Sequence, residues 1–207
     1  VFIGGSFSNS GTVQVAAGSL DLNSDQNDAN GQRFQSAGSF VGSVGTSLSL
    51  RNMVLTSASS VNGSSVTLTN VTVAGSYQAS VYTNCNDPVV FSGTVTGLGD
   101  RFDAYGVDFQ LPGSPTFALQ NLALGRLSGS VNFTVATKFL WLGLGSGTLG
   151  GGQGSVTVLS EPPGAVVGGS AVAIAPPRHR GRQADGAPAA GRQPGAPLLV
   201  QPQRQHP

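Results

Sequence analysis

Short runs of alternating apolar and polar residues recur from residue 1 to about residue 160, and each run is bounded by Gly, Ser or Asn. A period of two places every second side chain on the same side of an extended strand. Val and Thr are frequent in these runs, and their branched Cβ atoms favour strands over helices. The pattern predicts an all-β fold with many short strands, among them residues 11–16, 19–22, 47–50, 65–69, 71–73, 116–119, 130–135 and 155–159.

Three stretches align without a gap, and each consists of a strand, one spacer residue, an Asn and a second strand. Their asparagines are Asn52, Asn70 and Asn121, whose numbers differ by 18 and then by 51, which is three times 17. A coil of about 17 or 18 positions accounts for both differences, and such a period is typical of a solenoid. Asn tolerates the left-handed backbone that a sharp turn requires, and stacked Asn amides can bond to one another. We therefore predict an Asn ladder at one corner. Three Asn-containing hairpins of a β-sandwich remain an alternative.

The aligned units resemble those of right-handed parallel β-helix proteins of the pectate lyase-like and bacterial adhesin type, in which an inward Asn ladder lines one bend. The opening segment from Phe7 to Leu22, which contains Asn9-Ser-Gly-Thr-Val-Gln-Val, is similar to repeats of filamentous-haemagglutinin and autotransporter passenger proteins. The resemblance covers residues 1–160 and implies a right-handed parallel β-helix. Between Cys85 and Phe109 the repeat fades, and there we expect a loop or irregular coil, with Asn86 or Asp87 at the ladder position that follows Asn70.

Composition narrows the class of protein further. Charged residues make up 9% of the chain, against about 25% in typical soluble domains. Ser, Thr, Asn, Gln and 31 Gly keep the surface polar instead, which is common in secreted repeat proteins. Residues 1–160 carry seven acidic and five basic side chains, so a basic surface for nucleic acid is not expected. The longest apolar run, residues 139–144, is far shorter than the ~20 residues that a membrane-spanning helix needs.

The composition changes after residue 160, and we expect two regions: a β-helix domain over residues 1–160 and a disordered tail over residues 161–207. The tail holds nine of the twelve prolines and both histidines, with a net charge of +3 and almost no alternation. The chain begins at Val1 and shows no secretion signal, so we expect it to belong to a longer chain.

Clustered carboxylates are the chemistry that polysaccharide lyases and hydrolases require. The one cluster here contains Asp100, Arg101, Asp103 and Asp108, which would suffice for calcium-assisted or acid/base work on an acidic sugar. The adjacent-Asp and Arg-x-Lys signatures of polygalacturonases are absent, and residues 97–101 have the composition of a polar turn. We therefore expect a solvated loop and assign no catalytic residue.

Other chemistries find little support. No His lies in residues 1–160, so a Ser-His or Cys-His site lacks its base, and the single Cys85 is expected to fill the interior of a coil. Residues Asp21 to Asp28 alternate oxygen ligands like the start of a calcium loop, but Gln26 and Gln32 occupy the positions of its Gly and Glu. An Asx-rich turn is the default there, and we assign no metal ligand and no cofactor.

The sequence thus predicts a structural or adhesive segment of a secreted or cell-surface protein, without catalytic activity. Its expected partners are glycans or the surfaces of host or neighbouring cells, with no nucleic acid and no membrane span. The alternative from the enzyme class is a partial or degraded polysaccharide lyase or hydrolase of the same fold. A secreted β-sandwich that binds carbohydrate is a third alternative.

Overall fold

In the computed structural model of this protein, residues 1–5, 7–24, 34–141, 155–159 and 173–174 are described. These residues form β-strands joined by short turns, and no helix occurs among them, which confirms the all-β prediction. The strands are β1 Phe2–Gly5, β2 Thr12–Val15, β3 Ser19–Ser24, β4 Phe34–Ser36, β5 Ser39–Gly42, β6 Ser47–Leu55, β7 Ser60–Val73, β8 Ser76–Phe91, β9 Thr94–Leu98, β10 Arg101–Ala104, β11 Val107–Phe109, β12 Thr116–Leu124, β13 Leu127–Gly129, β14 Asn132–Trp141, β15 Ser155–Val158 and β16 Ala173–Ile174.

Strand pairing in the described residues is parallel throughout, and each strand pairs with strands one coil away. Ser47 pairs with Ser65 of the next coil, and Val107 likewise pairs with Leu127. Parallel neighbours need a long crossover, and here the crossover is the remainder of one coil. The result is a parallel β-solenoid of about seven coils, consistent with a β-helix fold. The β-sandwich alternative, which requires antiparallel hairpins, is therefore wrong.

Each coil presents three faces, which follow one another along the chain in the order C, A, B. Face A consists of residues 19–23, 47–51, 65–69, 82–86, 101–104, 121–124 and 138–141. Face B consists of residues 34–36, 53–55, 71–73, 89–91, 107–109 and 127–129. Face C consists of residues 12–15, 39–42, 60–63, 76–79, 94–98, 116–119, 132–135 and 155–158.

The interior of the coils is an apolar core filled by every second residue of each face. Phe91 and Phe109 stack there with ring centroids 5.1 Å apart and planes at 12°. Burying a Leu or Phe side chain stabilises the fold by about 1.5–3 kcal/mol, and each coil contributes several. A polar pair in this layer is satisfied, because the Tyr77 hydroxyl lies 2.8 Å from Thr83 Oγ1. Fully buried residues include Leu22, Phe40, Leu50, Leu55, Val66, Leu68, Val71, Cys85, Phe102, Ala104 and Leu124.

An Asn ladder lies at the corner between faces A and B. Asn52 and Asn70 have positive φ angles of 56° and 53°, so each bends its strand at this corner. The Nδ2 atom of Asn70 donates to Oδ1 of Asn52 over 2.9 Å, and Nδ2 of Asn52 donates to Oδ1 of Asn23 over the same distance. The ladder predicted from the first two asparagines is therefore confirmed, with Asn23 as an additional member.

The placement of Asn121 in this ladder was wrong. Asn121 pairs with Arg101 on one side and Lys138 on the other, at the start of face A, and it is not among the residues with positive φ. Residues 116–119 belong to face C rather than face A, so the third aligned unit is displaced by one face. Two adjacent residues that are not buried interrupt the alternation in the same way at both corners, Arg51 and Asn52 at one and Gln120 and Asn121 at the other. For that reason the sequence pattern alone does not show which corner an Asn occupies.

The expectation of a loop or irregular coil between Cys85 and Phe109 is confirmed in part, because the strand register shifts opposite Asn70 and again between Val95 and Gly97. Cys85 lies in β8, while β10 and β11 pair in regular register with their neighbours. Asn86 pairs with Thr69, so the chain position that follows Asn70 in the next coil falls at Asp87 and Pro88. The predicted tail over residues 161–207 falls outside the described residues, apart from Ala173 and Ile174 in β16. Within the described residues, no helix is long and apolar enough to span a membrane.

Candidate binding site on face A

The strand β10 places two charged side chains on the outer surface of face A. Phe102 and Ala104 are fully buried in the interior, so the alternating residues Arg101 and Asp103 point outward. The strand begins after Gly99, whose φ is 85° and whose absent Cβ would lie 2.5 Å from the Val81 carbonyl carbon. This close turn sets β10 in register between β8 and β12.

Asp103 is almost completely buried although it points outward, because its neighbours cover it. Its side chain is 4% exposed, whereas that of Arg101 is 58% exposed. The Tyr82 hydroxyl donates to Asp103 Oδ2 over 2.8 Å. Nε of Arg101 donates to both carboxylate oxygens, at 3.1 and 3.0 Å, and Nη2 donates to Oδ2. A buried carboxylate requires such partners, because an unpaired charge would be strongly destabilising.

Tyr82 and Arg101 also contact each other, and the network keeps each in its usual protonation state. The guanidinium carbon of Arg101 lies 5.1 Å from the centroid of the Tyr82 ring, a cation–π contact. Burial and, after it, the hydrogen bond to Asp103 raise the pKa of Tyr82 to about 12. The hydrogen bonds and charge of Asp103 raise the pKa of Arg101. At neutral pH the tyrosine is therefore uncharged and the arginine is charged.

A surface depression of about 250 Å³ lies beside Asp103, over the two following coils. The depression forms because Ala123, which pairs with Asp103 from the next coil, has only a methyl group as its side chain. Next to this pair, Arg101 pairs with Asn121 of the next coil, and Asn121 pairs with Lys138 of the coil after that. The depression is lined by Arg101, Asp103, Asn121, Leu122, Ala123, Lys138 and Leu140.

The predicted carboxylate cluster is divided among different places. Asp100 lies exposed in the turn after β9, where its carbonyl oxygen accepts from the backbone N–H groups of Gln120 and Asn121. Asp108 lies on face B, where Ser128 and Gln110 donate to its carboxylate over 2.6 and 2.7 Å. Asp103 alone lines the depression. The expected polar turn is confined to Gly99 and Asp100, and Arg101 to Ala104 form a strand instead of a solvated loop.

Cys85 lies where the sequence predicted it, in the interior of a coil with no exposed surface. Burial raises the pKa of its thiol well above the usual value, which keeps it protonated and unreactive. Both histidines fall outside the described residues. In the described part of the chain, no group of three or more His, Cys, Asp or Glu side chains could hold a metal ion.

The calcium-like segment is described at its first residues only, where Asp21 forms an ion pair and Asn23 accepts a hydrogen bond. Asp21 Oδ1 lies 3.2 Å from Nε of Arg51, and Asn23 Oδ1 accepts the hydrogen bond from Asn52. Residues 25–33, which include Asp25 and Asp28, lie outside the described residues.

Sequence reasoning missed four residues of the depression and its border. Tyr82, Asn121, Ala123 and Lys138 stand in neighbouring coils and contribute to the surroundings of Asp103. The coils that carry them differ in length, so a fixed repeat along the chain does not bring these residues together. Alignment of each coil by its buried positions would have placed Tyr82, Arg101, Asn121 and Lys138 in one column.

Comparison with family models, with curated proteins and with solved structures gave no match to this chain. The class therefore follows from the structure itself, which is that of a parallel β-helix.

Proposed function

We propose that this chain is a structural and adhesive repeat segment of a secreted or cell-surface protein, and that it binds carbohydrate without cleaving it. The observation that carries the proposal is the continuity of the coil stack. The aromatic residues of successive coils contact one another, and the Asn ladder joins three coils at one corner. Such a stack resists bending, because any displacement of one coil disturbs the packing of its neighbours.

The outer surface of the stack supports the binding part of the proposal. Ser39, Ser60, Ser76 and Thr94 form a hydroxyl column on face C, in which Ser60 Oγ donates to Ser39 Oγ over 2.8 Å. Hydroxyl and amide groups exchange hydrogen bonds readily with the hydroxyl groups of sugars. A polar surface with 9% charged residues is also typical of secreted repeat proteins, which supports an extracellular or cell-surface location.

A polysaccharide lyase or hydrolase remains the second candidate, and Asp103 in the depression favours it. A glycoside hydrolase generally needs two carboxyl groups about 5–10 Å apart on either side of the bond. Asp103 is the single carboxylate among the residues that line the depression, and both its oxygens accept hydrogen bonds from Arg101. Asp108, another member of the predicted cluster, lies on face B. The geometry therefore supports binding better than cleavage.

A sedimentation assay with product analysis separates the two candidates. The full chain is mixed with a panel of insoluble neutral and acidic polysaccharides, and bound protein, new reducing ends and unsaturated products are measured. We expect at least one polysaccharide to retain the protein with no product. Products that disappear in a folded Asp103→Asn variant would establish the enzyme instead. Failure to bind any polysaccharide or any cell surface would contradict the adhesive part.

A further inference from the structure

The depression on face A combines two columns of unlike chemistry. One column contains Arg101, Asn121 and Lys138 in three successive coils, and neighbouring strands of a sheet lie about 4.8 Å apart. The backbones of Arg101 and Lys138 are therefore about 10 Å apart, with an amide side chain between them. The second column contains Asp103 and Ala123, followed by Leu140. Polar donors thus line one side, and an apolar floor lies on the other.

The charges in the depression are not balanced. Arg101 is neutralised by Asp103, with which it forms the ion pair described above. Lys138 is exposed, and within the described residues it forms no ion pair. The depression therefore has a net charge of +1, located at the end away from Asp103. Oδ1 of Asp103 accepts a single hydrogen bond, so it retains capacity for a second donor.

We propose that this depression binds a hydroxylated carboxylate of the size of one sugar-acid residue. The ligand carboxylate contacts the Lys138 ammonium group and the Asn121 amide, and a ligand hydroxyl donates to Oδ1 of Asp103. The carbon skeleton packs on the Ala123 methyl group and on Leu140. A volume of about 250 Å³ lies below the ~300 Å³ at which pockets for drug-sized ligands begin, so it admits one ring. The inference rests on the proposed function and names the ligand class for one site.

Lys138 provides a specific probe, because it is the single lysine of the chain. Lysine labelled with ¹³C therefore gives one set of side-chain signals in the full chain. We expect D-glucuronate to shift these signals saturably, with at least tenfold weaker binding of D-glucose, which lacks the carboxylate, and of acetate, which lacks hydroxyls. An equal shift with sodium chloride at matched ionic strength would overturn the inference. Comparison of lactate with a glucuronate-containing oligosaccharide then distinguishes a free hydroxy acid from a polysaccharide as the source.

Two variants and a matched control complete the test by titration calorimetry. Ala123→Leu fills the depression and keeps every charge, whereas Lys138→Gln removes the cation. We expect both to weaken glucuronate binding at least tenfold, while Arg126→Gln, which removes an exposed cation outside the depression, changes binding less than twofold. Undiminished glucuronate binding by a folded Lys138→Gln variant would overturn the inference, even if Ala123→Leu fails to fold.

Different results would contradict the adhesive function and the sugar-acid site in the depression. Polysaccharide binding that survives in both variants would overturn the depression as a site while leaving the adhesive function intact. Saturable glucuronate binding at Lys138, in a protein that no polysaccharide or cell surface retains, would support the site and contradict the adhesive function.

Discussion

The side-chain amide of Asn70 donates a hydrogen bond of 2.9 Å to Oδ1 of Asn52, and both residues occupy the left-handed region at the same corner. The ladder has a direction, because each Nδ2 atom donates to the preceding coil. It does not continue in the same form into the next coil, where the chain carries Asp87 and Pro88.

Replacement of Asn70 by Gly and by Ala separates the contribution of its side-chain hydrogen bond from that of its left-handed backbone. Asn70→Gly keeps the positive φ and removes the hydrogen bond, so we expect a loss of about 1 kcal/mol in the free energy of unfolding. Asn70→Ala also strains the left-handed backbone, so we expect a loss of about 2 kcal/mol. Urea unfolding measures both, and Asn121→Ala, outside the ladder, serves as the control. Equal losses for the Gly and Ala variants would show that backbone strain contributes nothing here.

The two aligned units around Asn52 and Asn70 could be predicted from sequence because they pair residue for residue over both faces. Asn121 could not, because coil length varies: the step from Ser47 to Ser65 is shorter than the step from Arg101 to Asn121. The depression could not be predicted from the sequence for the same reason, since its residues come from three coils of unequal length. The burial of Asp103 could not be predicted from the sequence either, because it depends on the side chains that cover it, Tyr82 and Arg101, and not on the alternation in β10.

At Gly129 the backbones of two successive coils lie close together, and substitution of this residue tests that contact. Its φ is 96°, and an added Cβ would lie 2.0 Å from the carbonyl oxygen of Phe109 in the preceding coil. Gly113 has a φ of 74° but nothing within 4 Å of an added Cβ. We expect Gly113→Ala to lower the free energy of unfolding by about 1 kcal/mol and Gly129→Ala by about 2–4 kcal/mol, because only the latter adds a collision to the backbone strain. Similar losses in urea unfolding would argue against close contact at Gly129.

Tyr82 makes stability depend on pH in the alkaline range. Its folded-state pKa is raised to about 12 from the usual value of 10.0, so folding favours the neutral phenol. This contribution is fully present below pH 10 and is lost as the pH rises from about 10 through 12. We expect Tyr82→Phe to flatten the decline in melting temperature over this interval. Tyr77→Phe should flatten the decline as well, because burial raises the pKa of that hydroxyl well above its usual value. Tyr105→Phe, which removes an exposed phenol, is the comparison. An unchanged slope in Tyr82→Phe would contradict the assignment.

Cys85 is the single thiol of the chain and lies fully buried in β8, which makes it a reporter of coil opening. Burial and the raised pKa of the thiol should prevent reaction with a thiol reagent in the native state, whereas the unfolded chain should react completely. Labelling should therefore proceed only as fast as the coils around Cys85 open. Cys85→Ser should lower the free energy of unfolding by about 1–3 kcal/mol, since it buries a hydroxyl among apolar side chains. Cys85→Ala, which loses volume without adding a polar group, is its control. Rapid native labelling at neutral pH would show that this coil is open to solvent.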